Sequence, residues 1–268
     1  IDQNLLKLDI LGHDDPTVIR MLYDLTGFDP TKVPLDDEVT MSIYSSTKAL
    51  GVTEEQIHSE VGTYGIPESG TKFVRGMLKD TKPTTFEELI RISGLSHGTD
   101  VWLGNAQDLI NSGTAKLNET ICTRDEIMLT LMKKGLPPNT AFKIMELVRK
   151  GKVAKEPEKW ADYKKVMQEH NVPDWYIDSC EKITYLFPKA HHISYMINIY
   201  RFMYAKIYEP VAFYKAYFKV HSNVNKEWFY KSYEEVKKVL ENKNYVFDEE
   251  LVMLEAFARG IDMKNIVS

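Results

Sequence analysis

Apolar residues recur every three or four positions along most of this chain, the spacing that places them on one face of an α-helix. Residues 15–26 show this pattern first, with Pro16 in the predicted first turn and Gly27 at the end. Prolines and glycines interrupt residues 28–70, where we expect short helices and turns. Helical spacing dominates again from about residue 71 onward. The pattern therefore predicts a mainly α-helical chain.

Capping signals place several helix boundaries. Residues 85–88 and 123–126 each read Thr-x-x-Glu and match the capping box, in which the two side chains satisfy free N–H groups of the first turn. The predicted helices then run over 124–134, 139–150 with Asn139 as the N-cap, from Pro188 to about Tyr208, 226–242 and 248–259, with a loop and a short helix between 152 and 173.

The main strand-like run is residues 5–12, an apolar segment that ends in glycine. In a strand, Lys7 and Asp9 would share one face, about 6.6 Å apart along the chain. A carboxylate inside an apolar strand is costly unless a cation accompanies it. The residues alone therefore favour a Lys7–Asp9 pair on the surface of an edge strand, with a functional carboxylate as the alternative.

Composition narrows the class of protein. The 268 residues are 43% hydrophobic and 27% charged, which excludes a wholly disordered chain. No apolar run approaches the ~20 residues of a membrane helix, so we expect no membrane partner. Two distant cysteines exclude a disulfide framework and a four-cysteine zinc site, and are typical of the cytoplasm. Because the chain starts at Ile1 within a strand-like run, we interpret it as a piece of a larger protein.

Charge is distributed unevenly. Residues 1–130 carry 11 Lys and Arg against 21 Asp and Glu, a net charge of −10. Residues 131–220 carry 16 against 9, a net charge of +7, and residues 221–268 carry 7 against 9, a net charge of −2. A basic middle segment could bind a polyanion. Solvated helix faces would give the same count, and composition alone favours that second interpretation.

Several motifs in a fixed order resemble the PolC-type alpha subunits of bacterial DNA polymerase III. The matching stretches are LKLDILGHDDPT at 6–17, ISGLSHGTDVWLGNA at 92–106, AFKIME at 141–146, VRKGK at 148–152, WYIDSC at 175–180 and FPKAH at 187–191. The resemblance covers roughly residues 5–220. It implies a mainly α fold in which helical fingers carry a small β remnant of a polymerase-beta-like nucleotidyltransferase palm.

The same resemblance implies domains and an activity. Residues 1–27 would form the palm edge, 28–220 the helical fingers and 221–268 a helical extension of the fingers. The whole protein would be a DNA-directed DNA polymerase that adds dNTPs to primer–template DNA, with a sliding clamp and clamp loader as partners, in the cytoplasm at the nucleoid. Asp9, with Lys7 beside it, would be the catalytic candidate and a Mg²⁺ ligand. With one of three metal-binding aspartates, the piece alone would be inactive.

Four basic residues cluster near the end of the helix at 139–150. Lys143, Arg149, Lys150 and Lys152 are candidates for binding a nucleotide triphosphate, since cations stabilise the charge that develops on pyrophosphate. Cations in a last helical turn also complement the helix dipole, which is the structural alternative. The resemblance favours the triphosphate contact, most strongly for Arg149.

The remaining nucleotide-binding candidates lie in two other segments. His97, Thr99 and Asn105 follow from the resemblance, although a polar interhelical turn explains them as well. His191 and Tyr195 lie one turn apart after Pro188 and could line a groove for base and sugar. The alternative is a helix with a polar face and a tyrosine-rich core. The family reads His-Ala-Ala-Ala-Tyr where this chain reads HHISY at 191–195.

Two other functions fit the sequence less well. A non-catalytic helical module that binds nucleic acid would explain the basic segment, and a helical scaffold would explain the acidic flanks. The first predicts salt-sensitive DNA binding that does not respond to nucleotide. The second predicts no polyanion binding.

Overall fold

The structure is a computed structural model that describes residues 14–221 and 223–267. The described residues form a mainly α-helical fold, as the sequence predicts. The helices are α1 (Asp15–Thr26), α2 (Glu38–Ser42), α3 (Glu54–Ile57), α4 (Lys72–Thr81), α5 (Phe86–His97), α6 (Gln107–Asn111), α7 (Arg124–Lys133), α8 (Pro138–Arg149), α9 (Pro157–Glu169), α10 (Asp174–Lys182), α11 (Lys189–Tyr208), α12 (Pro210–Val220), α13 (Tyr233–Glu241), α14 (Asp248–Ala258) and α15 (Met263–Val267). The predicted strand at 5–12, with Lys7 and Asp9, lies outside the described residues.

Most predicted boundaries are confirmed. Helix α1 ends at Gly27, whose φ of 68° is the left-handed conformation that glycine adopts without strain. Helix α11 runs from Lys189 to Tyr208, as the sequence predicts. Glu126 accepts hydrogen bonds from the backbone N–H groups of Cys122 and Thr123, which fulfils part of the predicted capping box.

Three predictions along the chain are wrong in detail. Asn139 is not an N-cap: Pro137 is, and α8 starts at Pro138, because proline suits the first helical position. The segment 157–169 is a full helix of 13 residues rather than a short one. Residues 226–242 divide into a 3₁₀ turn at Lys226–Tyr230 and helix α13, which Ser232 caps.

Helix α11 crosses the interior of the described fold. It packs against α2, α5, α7 and α12, while α12 also packs against α1 and α15. Met196, Tyr200 and Met203 on α11 are at most 3% exposed. Since α1 and α15 both pack on α12, α1 and the end of the described chain share this core. The domain boundaries at residues 27 and 220 stay predictions.

A buried ion pair fastens α11 to α14 and to the loop before α4. Lys206 Nζ lies 2.6 Å from Glu255 Oε1, and both side chains are fully buried. The same ammonium group donates hydrogen bonds to the carbonyl oxygens of Gly62 and Tyr64, each at 2.7 Å. Three acceptors therefore surround one buried cation, and they come from distant parts of the sequence.

A glycine in the middle of α5 allows the helix to touch the backbone beside α7. A Cβ on Gly94 would lie 2.4 Å from the carbonyl oxygen of Cys122. We therefore expect Gly94→Ala to lower the free energy of unfolding by roughly 1–3 kcal/mol, as overpacking does. Gly76→Ala in α4 is the matched control, since a Cβ there meets no atom within 4 Å. It should raise the free energy of unfolding by about 0.5–1 kcal/mol. Urea unfolding checks both values, and a stabilising Gly94→Ala would contradict the close packing.

Candidate functional site

Residues 183–188, which we call the connecting segment, join three of the predicted site regions. The Thr99 N–H donates to the carbonyl oxygen of Tyr185 at 3.0 Å, and the Thr184 N–H donates to the carbonyl oxygen of Thr99 at 3.0 Å. The Leu186 N–H donates to the carbonyl oxygen of Arg149 at 3.2 Å. These bonds hold the end of α5, the end of α8 and the start of α11 together.

Gly151 allows α8 to approach the connecting segment. Its φ is +61°, and a Cβ on it would lie 2.5 Å from the carbonyl oxygen of Thr184. A larger residue would meet both a strained backbone and a steric clash. The glycine in the VRKGK motif therefore has a structural reason.

The basic candidates at the end of α8 are partly neutralised by a carboxylate that the sequence analysis did not select. Arg149 donates to both carboxylate oxygens of Glu146, and Lys150 Nζ lies 2.8 Å from Glu146 Oε2. The hydrogen bond from Arg149 is the main reason why the pKa of Glu146 falls to about 2, with Lys150 adding to the effect against partial burial. Lys143 and Lys152 are exposed. An anion at the end of α8 would meet the exposed Lys143 and Lys152. It would also meet Arg149 and Lys150, which share Glu146 as their counter-ion.

His97 is held at both ring nitrogens. Its Nε2 lies 2.8 Å from Glu68 Oε2, and its Nδ1 lies 2.7 Å from the carbonyl oxygen of Ser93. Burial opposes a charge on the ring, but the hydrogen bond and the negative charge of Glu68 prevail and raise the pKa of His97. The sequence analysis missed Glu68, because no local spacing connects the loop before α4 with the end of α5.

The predicted His191 and Tyr195 lie beside His97 in a cluster of rings. The centroids of His191 and Tyr195 are 4.5 Å apart, and those of His97 lie 6.2 and 6.4 Å from these two rings. Phe187 of the connecting segment stacks on His191 at 5.3 Å with an interplanar angle of 22°. Burial and the nearby His97 lower the pKa of His191. The cluster therefore combines one histidine whose pKa is raised with another whose pKa is lowered.

His192 turns into the core instead of joining this surface. It is fully buried, and its Nδ1 lies 2.9 Å from the Ser93 hydroxyl. Burial is the main reason why the pKa of His192 falls to about 4, and the neighbouring His97 and His191 add to the effect. The residue is therefore neutral near pH 7.

A groove with a volume of about 660 Å³ lies between α1 and α11, next to the ring cluster. Tyr195, Asn198 and Arg201 form one wall, and the Arg201 guanidinium donates to the Asn198 amide oxygen at 3.0 Å. Arg20 and Tyr23 of α1 line the other wall. The sequence analysis placed α1 in the palm edge and did not select these two residues. Only the packing of α1 beside α11 reveals them.

Asn105 and Thr99 differ from the other candidates in their surroundings. Asn105 is 2% exposed; its amide donates to the carbonyl oxygens of Asp100 and Ser179 and accepts a hydrogen bond from the Ser179 hydroxyl. The side chain thus braces the fold from inside and is not presented to the groove. Thr99 has an exposed side chain, and its backbone forms the bridge to Tyr185.

Neither a metal cluster nor a membrane span is found within residues 14–221 and 223–267. No group of three or more His, Cys, Asp or Glu side chains in these ranges is arranged to hold a metal ion. None of the helices described there combines the length and the hydrophobicity that a membrane crossing requires. Asp9 and Lys7 lie outside these ranges, so their positions do not enter the site geometry.

Comparison with known proteins identifies a family. Residues 15–171 match the family described as the bacterial DNA polymerase III alpha subunit finger domain. The chain is 60% identical over 223 residues to the DNA polymerase III PolC-type of Oceanobacillus iheyensis, and 59% identical over the same length to that of Bacillus subtilis; both matches cover 83% of this chain and 15% of the relative. The PolC-type protein of Caldanaerobacter subterraneus subsp. tengcongensis is 51% identical over 275 residues, 98% of this chain and 19% of the relative. The chain spans less than a fifth of these relatives.

Proposed function

The chain belongs to the bacterial DNA polymerase III alpha subunits of PolC type, whose finger domain it carries, and we propose that it binds the incoming dNTP and the primer–template DNA in a replicative polymerase. One observation carries this proposal: the connecting segment brings the basic end of α8, the end of α5 and the ring cluster of α11 to adjoining positions. A nucleotide has an anionic triphosphate at one end and a base that can stack at the other. This surface has cations at the end of α8 and aromatic rings on α11, which match these two ends.

The proposed roles follow from the side chains. Lys143, Lys150 and Lys152 attract the triphosphate, and Arg149 joins them if the anion displaces Glu146. His191 and Tyr195 offer ring faces to base and sugar, since base–aromatic stacking tolerates any base. Thr99 lies on the backbone bridge between the two groups. Asn105 stays outside this proposal, because its hydrogen bonds are made inside the fold.

Nucleotide addition would also need Mg²⁺, and Asp9 is the proposed ligand on the strength of the family resemblance. Carboxylate oxygens suit Mg²⁺, which in two-ion sites stabilises the attacking and the leaving oxygens of phosphoryl transfer. One carboxylate is too few for such a site, so we propose that further ligands, including two more aspartates, come from other parts of the polymerase. Lys7 would balance the charge of Asp9. The piece alone would then be inactive.

The proposal extends to partners of the whole protein. The net charge of +7 over residues 131–220 suits the phosphate backbone of primer–template DNA. A sliding clamp and a clamp loader would engage other parts of the polymerase, at the nucleoid. A non-catalytic nucleic-acid-binding module is the second candidate, because the basic segment by itself supports it.

Binding of labelled primer–template DNA to the complete polymerase tests the proposal. We expect anisotropy titrations over a salt series to show tighter binding when the matching dNTP and Mg²⁺ are present. Lys150→Ala and Lys152→Ala should remove most of that dNTP effect. If either lysine also neutralises a phosphate of the DNA, its replacement should flatten the log–log salt slope by about 0.9.

Lys238→Ala on α13 is the control, since this exposed lysine lies outside the site and should leave both quantities unchanged. Salt-sensitive DNA binding with no dNTP effect would favour the non-catalytic module instead. No binding at all by the complete polymerase would reject both.

A further inference from the structure

We infer that Glu68 is a positioning residue that keeps His97 protonated near neutral pH beside the proposed nucleotide site. The inference rests on the proposed function and adds a residue to it from outside the recognised motifs. Glu68 precedes α4, whereas His97 is the last residue of α5. The contact between them is the ion pair at 2.8 Å.

The contacts of His97 with oxygen atoms at both ring nitrogens favour a charged ring. A backbone carbonyl oxygen can only accept, so the Nδ1 that faces the Ser93 carbonyl oxygen carries a proton. The Nε2 forms an ion-pair contact with the Glu68 carboxylate, and a second proton on this nitrogen balances the negative charge of that carboxylate. A histidine that donates from both nitrogens is an imidazolium cation. The raised pKa of His97 agrees with this assignment.

The backbone of Glu68 has a strained conformation. Its φ is +59°, a conformation that residues with a Cβ adopt rarely and that collects at functional sites. Neighbouring bonds hold the turn: the Tyr44 hydroxyl lies 2.9 Å from the Ser69 hydroxyl, and the Thr63 hydroxyl donates to the Ser69 carbonyl oxygen at 2.7 Å. The turn is therefore set before any ligand arrives.

The buried Lys206 extends this support into α11. Its ammonium group binds the carbonyl oxygens of Gly62 and Tyr64, in the same loop as Glu68. Helix α11 also carries His191 and Tyr195. Helix α11 thus carries His191 and Tyr195 of the ring cluster and also binds the loop that contains Glu68. It therefore fixes the position of this loop relative to the ring cluster.

Within residues 14–221 and 223–267, the other titratable groups that act on this pair and its ring cluster include histidines, tyrosines and aspartates. Burial and the charge of His97 lower the pKa of both His191 and His192, so these rings are neutral. Tyr44 and Tyr195 are phenols whose pKa burial raises. The acidic groups that act on the cluster from α1 and α7 are Asp15 and Asp125.

The geometry gives His97 a role that differs from a direct contact. Both of its N–H groups are already used, so it offers no hydrogen bond to a nucleotide. The Glu68 carboxylate balances its charge, so the protonated pair adds no net charge, whereas loss of the proton would leave an unbalanced carboxylate that repels an anion at the nucleotide site. With burial, which is the larger cause, the charge of His97 lowers the pKa of His191 and favours the neutral ring, which can stack.

Single-nucleotide incorporation by the complete polymerase, measured from pH 6 to 9, tests the role of Glu68. In the unsubstituted enzyme the dNTP affinity should fall as pH rises through the raised pKa of His97. Glu68→Gln keeps the size of the side chain and removes its charge, so this fall should move to lower pH. The maximal incorporation rate should change less than the dNTP affinity does.

Three further variants make the result decisive. Glu87→Gln on the exposed side of α5 is a control for loss of one carboxylate and should leave the pH profile unchanged. In a His97→Gln background no proton can balance Glu68, so adding Glu68→Gln should restore dNTP affinity and remove its pH dependence in this range. If Glu68→Gln fails to fold, Glu68→Gly replaces it, because glycine accepts a φ of +59° without strain.

The outcomes separate this inference from the proposed function. An unshifted pH profile in Glu68→Gln, together with weakened dNTP binding in His97→Gln, would overturn the role of Glu68 alone. Unchanged dNTP affinity in both His97→Gln and Lys150→Ala would overturn the nucleotide site and this inference with it. A shift that His97→Gln abolishes supports both.

Discussion

Lys206→Met is expected to lower the free energy of unfolding by about 3–5 kcal/mol, the usual cost of removing one partner of a buried ion pair. Methionine fills a similar volume but leaves the carboxylate of Glu255 buried without its cation. It also leaves the carbonyl oxygens of Gly62 and Tyr64 without the ammonium donor. The Tyr214 hydroxyl, which donates to Glu255 at 2.6 Å, remains and limits the loss.

Urea unfolding measures this effect, with Lys219→Met on α12 as the control. Lys219 is an exposed lysine on a neighbouring helix, so its replacement should change stability by less than about 0.5 kcal/mol. Glu255→Gln keeps a hydrogen-bond acceptor but removes the charge, so it should also destabilise the fold. If Lys206→Met and Lys219→Met were equally stable, the charges of the buried Lys206–Glu255 pair would add nothing to the free energy of unfolding beyond the packing of the side chains.

Asp9→Asn is expected to reduce nucleotide addition by the complete polymerase by at least about 100-fold. The resemblance makes this carboxylate a Mg²⁺ ligand, and even residues that only support a metal ligand cost 10–100-fold when changed. The amide is the same size but carries no charge, so binding of primed DNA should change little. Single-turnover incorporation and DNA anisotropy measure the two properties separately.

Asp14→Asn is the matched control for Asp9. Asp14 lies five positions later on the same segment, is exposed and precedes α1. We expect nearly normal nucleotide addition from it. Normal synthesis by Asp9→Asn would contradict the proposed metal ligand, and a parallel loss of DNA binding would point to a structural role for Asp9.

Helix positions were predictable where side chains mark both ends. Helix α1 has Pro16 in its first turn and Gly27 after its last residue, and α11 begins after Pro188. The prediction failed at Asn139, because the preceding prolines already determined where α8 begins. The prediction also made α9 too short, because this helix has a mostly charged, exposed surface and few apolar positions to mark its length.

The candidate site was predictable only within single helices. His191 and Tyr195 are one turn apart, and their rings do lie together, because residues four apart share a helix face. Glu146 and Lys150 are also four residues apart and pair on one helix face. The sequence-based interpretation of Lys150 did not take this partner into account. The spacing of Glu146 and Lys150 shows that they can pair within the helix. It does not show whether the lysine stays paired with Glu146 or binds an incoming anion instead.

The sequence by itself determined the helical class, the helix ends that capping residues mark and the residues that share one helix face, since these depend on contacts a few positions apart. Only the tertiary structure decided that Glu68 meets His97, that Lys206 binds Gly62 and Glu255, and that α1 faces α11 across a groove. The physical reason is that such contacts depend on the path of the loops and on the packing of the whole core, and local periodicity carries no information about either.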